Sequence, residues 1–336
     1  MARVAIRAAV IVAAGIIVYS NSLAAPFIFD DLRTILNNQQ IRRLSPLSVP
    51  LSPPPETPVA GRPLVNLSFA LNYAAGELNP RGYRLTNLTI HLLGALTLFG
   101  LVRRTLLLPS LSPRFGTHST DLAFVVALIW ALHPLQTETI DYLTQRTESM
   151  MGLFYLLTMY CGVRALDGQS GRWHITAILA CVAGMGCKES MITAPVMLGL
   201  YDYVFVVRPA LRKVRRVRLY AGLAMSWVVL AALMSSASRA TVGLGLHISP
   251  WTYLLNQAPI LLTYLRLTFW PRNLVLDYGS PQQLALSDVL LPLIVVTALV
   301  AVVVVLLVRR PQAGFLGAWC FITLSPTSSF VPIATE

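Results

Sequence analysis

The sequence has little charge. Of its 336 residues only 12% are charged, whereas 55% are hydrophobic and the mean hydropathy is +0.65. Ordinary soluble domains carry about 25% charged residues, so this composition argues against a soluble enzyme and against a disordered tail. Acids are scarcest, 14 against 26 Lys and Arg, which leaves a formal charge of +12. In so apolar a chain the excess indicates membrane topology rather than a nucleic-acid partner.

The sequence also has few cysteines and no internal repeat that would indicate a particular fold. The four cysteines lie inside apolar runs and form no CxxC pair, so the pattern suggests neither a disulfide framework nor a zinc site. We interpret them as buried small hydrophobic residues. A 34-residue helical repeat of the TPR type is absent from the sequence, so no TPR domain is predicted.

Long apolar runs dominate the chain. A membrane-spanning helix needs about 20 mostly apolar residues, and the first run is interpreted as an uncleaved helix rather than a signal peptide. A further stretch, 253–270, is ambiguous because it contains Asn256, Gln257 and Arg266. The sequence therefore predicts an all-α polytopic membrane protein with about nine to ten transmembrane helices. The qualifying runs are 4–19, 86–108, 121–133, 149–164, 173–187, 190–207, 219–236, 288–308 and 313–331.

The basic residues predict an orientation. They concentrate in the connections 103–114, 164–172, 208–218 and 309–310, and such loops usually face the cytoplasm. With a cytoplasmic N-terminus, all four basic connections face the cytoplasm if segment 253–270 does not cross the membrane and is re-entrant or interfacial. The alternative is that 253–270 is an ordinary tenth span. Eleven of the 14 acids then lie outside. We therefore expect the polar chemistry on the non-cytoplasmic face of a multi-pass protein, in a bacterial inner membrane or, in a eukaryote, the ER membrane.

Two adjacent carboxylates open the large first outer loop, residues 20–85. Asp30 and Asp31 directly follow the apolar segment Phe27-Ile28-Phe29 at the predicted membrane boundary. Partial desolvation and like charge raise a carboxyl pKa toward values useful for a general base. The alternative is that one of them caps a short helix running through Ile35.

Other polar residues lie in or beside the same predicted face. Arg62 has the planar guanidinium that suits a phosphate, although an interfacial arginine bound to lipid headgroups is the alternative. Asn87 and His91, four residues apart, share one face of the second span. A histidine this far into a span is costly unless it faces a polar cavity.

The remaining candidates flank the later spans. His133 and Glu138 follow the third run, and Arg146 precedes the fourth. Lys188 and Glu189 separate the fifth and sixth runs; a simple ion pair at the tip of a helical hairpin is the alternative reading. Together, acidic, imidazole and cationic groups on one face predict a site for an anionic, lipid-linked substrate.

The order of these motifs resembles a known family. The sequence resembles the membrane module of the TPR-containing transmembrane O-mannosyltransferases, which act on cadherins in animals, and of their bacterial relatives. The residues that carry the resemblance, in chain order, are Phe29-Asp30-Asp31, Arg62-Pro63-Leu64, Asn72-Tyr73, Asn79-Pro80, Asn87 with His91, His133-Pro134 with Thr137-Glu138, Arg146, Lys188-Glu189, and Ser325-Pro326 with Ser328-Ser329.

The resemblance implies a GT-C glycosyltransferase fold, with 1–336 as a single membrane domain. It implies transfer of a sugar from a polyprenyl-phosphate carrier outside the cytoplasm, with Asp30 or Asp31 as the catalytic acidic residue. The residues agree with an inverting attack in which an Asp takes the proton of an acceptor hydroxyl. In this scheme Lys188, Arg62 and Arg146 stabilise the phosphate. His91, His133 and Glu138 position substrate or help to hold a divalent ion, and Asn87 and Glu189 are further predicted substrate-binding residues; no cofactor is certain.

Two departures keep other functions open. The family usually has Tyr-Arg-Pro where this sequence has Gly61-Arg62-Pro63, and it continues past Ser325-Pro326 into a TPR superhelix. The leading hypothesis is transfer to a protein hydroxyl; an envelope glycolipid acceptor, a transporter and an inactive or truncated scaffold are the alternatives. A transporter is disfavoured because the charges lie at span ends on one side, without two corresponding halves.

Overall fold

The computed structural model describes residues 2–168, 171–206, 213–236, 250–277, 279 and 282–328, and every regular element within them is helical. The predicted all-α class is confirmed. The chain divides into two compact units, Met1–Ala237 and Ser238–Glu336, and the single domain over 1–336 stays a prediction. The predicted run ends at 207 and 331, the basic residues Arg208 and Arg212, and Ser329 of the last motif lie outside the described residues.

The first unit contains ten α-helices among its described residues. The bounds are α1 (Ala2–Tyr19), α2 (Pro63–Gly76), α3 (Pro80–Leu106), α4 (Ser112–Phe115), α5 (Ser119–Leu132), α6 (Gln136–Asp141), α7 (Arg146–Leu166), α8 (Arg172–Met185), α9 (Ala194–Phe205) and α10 (Lys213–Ser236). The long helix α3 packs against α1, α5 and α7. Helix α7 also packs against α8 and α9, and α8 packs against α10.

A stripe of alanines lets α5 approach its neighbours closely. Ala123, Ala127 and Ala131 recur every four residues and are fully buried, in a cluster that includes Ile11 of α1 and Ala95 of α3. Helices in a membrane gain no hydrophobic energy by leaving lipid, so small side chains that permit close packing hold them together.

Overfilling this stripe is expected to destabilise the first unit. Ala127→Leu adds a branched side chain where no space remains, and such overpacking typically costs about 1–3 kcal/mol. Thermal unfolding of the purified protein in detergent checks this. Val126→Leu is the matched control, because Val126 is 44% exposed on the same helix; equal melting temperatures for both variants would contradict the packing described.

The predicted first outer loop is largely structured. It contains a π-helical segment, Leu32–Leu36, and α2, and its residues Ile35, Val65 and Phe69 lie in a buried cluster that also includes Leu143 and Cys187. The second span begins at Pro80, six residues before the predicted start at 86. The Asn79 side chain accepts a hydrogen bond from the Arg81 N–H (3.1 Å) and caps the helix. Hydropathy missed this first turn because Arg81 and Arg84 are polar.

Within the described residues, six helices are long and apolar enough to cross a membrane: Ala2–Ser22, Pro80–Leu106, Ser112–Leu132, Leu143–Leu166, Val214–Ser235 and Leu286–Arg309. The multi-pass prediction is therefore supported. Three further predicted spans form helices of only 12 to 14 residues, namely α8, α9 and the helix Pro311–Leu324. At 1.5 Å per residue these are shorter than a hydrocarbon core of about 30 Å, so a total of nine to ten spans stays a prediction.

The second unit contains α11 (Pro250–Phe269), α12 (Leu286–Arg309) and α13 (Pro311–Leu324), with α12 packed against both others. The ambiguous stretch 253–270 is almost wholly helical, within α11, which has Pro259 in its interior. The amide of Asn256 donates to the carbonyls of Thr252 and Gln282, both at 2.8 Å. Whether α11 crosses the membrane or re-enters stays a prediction, and so does the orientation that depends on it.

Candidate active site

Asp31 is a buried carboxylate held on both oxygens. Its side chain is inaccessible to solvent. Oδ1 accepts hydrogen bonds from the backbone N–H (2.8 Å) and the hydroxyl (2.9 Å) of Thr144, and Oδ2 accepts from the Ile28 N–H (3.2 Å). Burial raises the pKa of Asp31 above its usual value, although these hydrogen bonds oppose the shift. Such a carboxylate fastens the loop to the segment before α7.

Asp30 is more accessible and is held on one oxygen only. Its Oδ2 accepts a hydrogen bond from the Tyr142 hydroxyl at 2.9 Å, and among the described residues its Oδ1 accepts none. Burial, and then this bond to a carboxylate, raise the pKa of Tyr142, so the phenol stays protonated as a donor. Of the two predicted carboxylates, Asp30 is therefore the one with an oxygen that accepts no hydrogen bond from the described residues.

The backbone before Asp30 has an unusual conformation. Phe29 has a φ of 50°, in the left-handed region that residues with a side chain rarely adopt. Its ring packs edge-on to Tyr142, with centroids 6.3 Å apart. Strained residues of this kind persist where the surrounding contacts fix them, often at functional sites.

Arg84 fixes the loop just upstream. Its guanidinium is buried and donates to the carbonyls of Ala25 (2.6 Å), Pro26 (2.8 Å) and Asp141 (3.2 Å). One side chain of α3 thus ties the segment that leads into Asp30 to the end of α6, which precedes Tyr142. The Asp30–Tyr142 contact is consequently held from both of its sides.

The helix-cap alternative for the two aspartates is wrong. The short helix after them, Leu32–Leu36, is π-helical, and the Asp31 side chain makes no capping bond to it. The Asp31 oxygens instead bond to Ile28 and Thr144, and Asp30 bonds to Tyr142. Long-range contacts to the segment before α7 therefore replace the local cap.

A second group of charges includes Glu138, Glu148 and Lys188. The Lys188 ammonium forms an ion pair with Glu148, and the Glu138 carboxylate accepts a hydrogen bond from the Gln145 amide at 2.8 Å. Desolvation by the surrounding protein, together with the negative charge of Glu148, raises the pKa of Glu138 above its usual value. Tyr142 donates its N–H to the Glu138 carbonyl (3.1 Å), so one helical turn joins this group to the Asp30–Tyr142 pair.

Arg62 and Glu189 form a third element of the site. One guanidinium nitrogen of Arg62 lies 3.2 Å from each oxygen of Glu189, and the other donates to the Pro58 carbonyl at 2.8 Å. Lys188 pairs with Glu148, and Glu189 pairs with Arg62. The alternative prediction, a simple ion pair between Lys188 and Glu189 at the tip of a helical hairpin, is therefore wrong. The extended backbone at Lys188 (φ −160°, ψ 147°) precedes the 3₁₀ helix that begins at Glu189.

The Glu189 ion pair predicts a pH-dependent stability. Burial alone would raise the pKa of Glu189, but the charges of Arg62 and Lys188 bring it below its usual value. The ionised carboxylate therefore stabilises the fold above the unfolded-state pKa of 4.5, and this contribution is lost as the pH falls below that value.

Glu189→Gln is accordingly expected to destabilise the protein at pH 7 by about 1 kcal/mol or less, since the pair is partly exposed. The difference in unfolding temperature from the parent should shrink when both are measured near pH 4. Glu56→Gln, a change of an exposed loop carboxylate, is the control. A difference that is unchanged at low pH would contradict the assignment.

Arg146 and Asn87 lie together in the core. Arg146 is fully buried, and its Nε donates to the Asn87 side-chain oxygen at 2.7 Å. Its other nitrogens donate to Asn72 (2.6 Å), Ser68 (3.3 Å) and the Tyr83 carbonyl (2.8 Å), and its guanidinium lies over the Phe69 ring. These contacts favour a structural role for both residues over the predicted contact with substrate.

His91 lies beside a small cavity. The ring is buried, its Nε2 is 2.9 Å from the Ala131 carbonyl, and it stacks on Trp130 with centroids 4.8 Å apart. The cavity, of about 150 Å³, is lined by His91, Trp130, Gln136, Thr139, Glu148 and Gly152, among others. His133 lies at the end of α5, where its Nδ1 accepts from the Leu135 N–H at 3.2 Å; nothing places it at the cavity.

The described residues contain no group of three His, Cys, Asp or Glu side chains that could hold a metal ion. The carboxylates near the site are instead bonded to Tyr142, Gln145, Lys188 and Arg62. The donor set in this part of the chain does not fit a protein-bound divalent ion, and we derive no step through one.

Sequence reasoning missed two residues that the fold brings to the site. Tyr142 bonds to Asp30, 112 positions away in the chain, and Trp130 forms one wall of the cavity. Tyr142 is an ordinary residue of the connection between the predicted spans 121–133 and 149–164, and Trp130 is an ordinary residue of an apolar run. Tertiary contacts alone identify them.

A family model for dolichyl-phosphate-mannose-protein mannosyltransferases matches residues 67–235 of the chain. The chain belongs to this family. The matched segment contains seven of the ten predicted site residues and begins after Asp30, Asp31 and Arg62.

Curated relatives of this mannosyltransferase-family chain are similar over part of their length. Protein O-mannosyl-transferase Tmtc1 of Drosophila melanogaster is 35% identical over 55% of this chain and 21% of its own length. Tmtc2 of the same organism is 31% identical over 78% of this chain and 29% of itself, and human TMTC2 is 29% identical over 58% and 23%. The chain thus spans less than a third of these relatives. No solved structure matches it.

Proposed function

We propose that the chain is the membrane module of a glycosyltransferase that moves a mannose-like sugar from a polyprenyl-phosphate carrier to a protein hydroxyl on the non-cytoplasmic side. The observation that carries the proposal is the Asp30–Tyr142 contact in a chain of this family. A half-buried carboxylate with one oxygen bonded and the other available is suited to general-base catalysis.

Asp30 acts as the base in this scheme. Its Oδ1 takes the proton of the acceptor hydroxyl while Tyr142 holds Oδ2 and thereby orients the carboxylate. The acceptor oxygen forms a bond to the anomeric carbon as the bond from that carbon to the phosphate oxygen breaks. Attack from the side opposite the leaving group inverts the configuration of the sugar.

The leaving polyprenyl phosphate needs a cation. Lys188 and Arg62 are the partly exposed cations of the site, with side chains 16% and 21% exposed, whereas the guanidinium of Arg146 is fully occupied by protein groups. Glu148 holds Lys188 and Glu189 holds Arg62, so both cations are in position before the phosphate binds. Preorganised charge of this kind is the main means of stabilising a developing anion.

Sugar transfer by the purified chain tests the proposal. In lipid nanodiscs, labelled mannose from polyprenyl-phosphate mannose should be incorporated into a pool of Ser- and Thr-containing peptides, with release of polyprenyl phosphate. GDP-mannose, offered as the donor instead, should give no transfer. Failure to turn over the lipid-linked donor, or equal transfer from the nucleotide sugar, would overturn the proposal.

A further inference from the structure

The cavity beside His91 has two contrasting walls. Trp130, stacked on His91, presents an extended aromatic surface, and Gly152 on α7 adds no side chain to the cavity it lines. A Cβ built at Gly152 would meet no atom within 4 Å. The cavity thus has the Trp130 ring on one side and, at Gly152, no side chain on another.

Polar groups also line this space. Gln136 and Thr139 of α6 contribute an amide and a hydroxyl, and no hydrogen bond joins either side chain to the protein within the described ranges. Glu148 adds a carboxylate whose charge is balanced by Lys188. A few polar groups around an apolar surface is the usual composition of a site for a small uncharged molecule.

The volume limits what can enter. A cavity of about 150 Å³ is the size that admits benzene, so its volume restricts the ligand to one ring and excludes a nucleotide. A pyranose has C–H bonds on its faces, which pack against an aromatic ring, and hydroxyls at its edge, which need hydrogen-bond partners. The wall of Trp130 and the groups of Gln136, Thr139 and Glu148 supply both.

We propose that this cavity binds the hexose of the lipid-linked donor, an inference that rests on the proposed function. Glu148 connects the two parts of the donor, because it lines the cavity and also pairs with Lys188. A phosphate on Lys188 lies one bond from the anomeric carbon, so the sugar ring beside it reaches the cavity. Trp130, Thr139 and Gly152 then select the sugar, whereas Lys188 holds the phosphate of any polyprenyl lipid.

Filling the cavity tests the inference. The probes are a short-chain polyprenyl-phosphate mannose and the same polyprenyl phosphate without sugar, with binding to the protein in nanodiscs measured by titration calorimetry. Gly152→Leu should weaken binding of the mannosylated lipid at least tenfold and leave binding of the sugar-free lipid unchanged. Thr139→Val, which keeps the side-chain shape, should give a smaller loss of the same selectivity. Lys188→Gln should weaken both lipids.

The controls separate the possible failures. Gly82→Leu is the matched control, since Gly82 also has open space around its Cβ but lies outside the cavity, and unfolding temperatures confirm that each variant is folded. If the parent binds the mannosylated lipid and Gly152→Leu binds it equally well, the cavity assignment is overturned and the proposed function stands. If the parent binds neither lipid, both fail.

Discussion

Asp30→Asn is expected to slow turnover of polyprenyl-phosphate mannose at least about 100-fold, since a positioned general base contributes typically about 10²–10⁴-fold. The amide retains the size of the side chain and can still accept the hydrogen bond from Tyr142, but it cannot take a proton from the acceptor. Release of polyprenyl phosphate per folded molecule, measured in nanodiscs with the peptide acceptor pool present, is the readout.

Asp31→Asn is the informative comparison. Asp31 is buried and bonded on both oxygens, so we expect this variant to lose thermal stability while turnover per folded molecule falls less than about tenfold. Glu56→Gln, in the same loop, should change neither quantity. Normal turnover in Asp30→Asn together with abolished turnover in Asp31→Asn would reverse the assignment of the base.

Arg146→Ala is expected to lower the free energy of unfolding by about 3–5 kcal/mol. Removing the guanidinium leaves the side-chain oxygens of Asn87 and Asn72 without their donor, and each unsatisfied buried group costs about 1–3 kcal/mol. The lost packing against Phe69 adds to this. Thermal unfolding in detergent, or the yield of monodisperse protein, measures the effect.

Two further variants distinguish structure from substrate binding at this position. Arg146→Lys retains the charge but not the planar array of donors, and it should be intermediate in stability. Arg81→Ala, on the exposed first turn of α3, should be close to neutral. If Arg146→Ala were as stable as the parent but failed to bind the sugar-free polyprenyl phosphate, the sequence-based prediction of a phosphate contact would be correct and the structural role wrong.

The predicted site residues divide into groups that no sequence pattern separates. Asp30 and Asp31 are adjacent and chemically identical, yet one has a free oxygen and the other is enclosed, because Thr144 and Tyr142 reach them from more than 110 positions away. Arg62 and Arg146 were both predicted to contact phosphate. Only the fold shows that Arg62 lies at a partly exposed ion pair, whereas Arg146 is enclosed by amides and a carbonyl.

Among the membrane helices, too, some bounds were predicted from the sequence and others were not. Apolar length alone predicted α1, α7 and α12 well, because a helix in lipid must be apolar along its whole length. The start of α3 was missed by six residues, because Arg84 in its first turns is polar. Its guanidinium donates to the Ala25 carbonyl, in the segment that precedes Asp30. The shortness of α9 was also missed, because the apolar residues of the predicted run 190–207 begin in the 3₁₀ segment before the helix.

Composition and the order of residues along the chain were enough to predict the helical membrane class and the positions of the polar motifs. The order of those motifs also predicted the mannosyltransferase family, to which the family model assigns the chain. The tertiary structure alone decided which carboxylate has a free oxygen, which arginine is available, and that a cavity lies beside His91. Those properties depend on burial and on hydrogen bonds between segments far apart in sequence, and no local pattern records them.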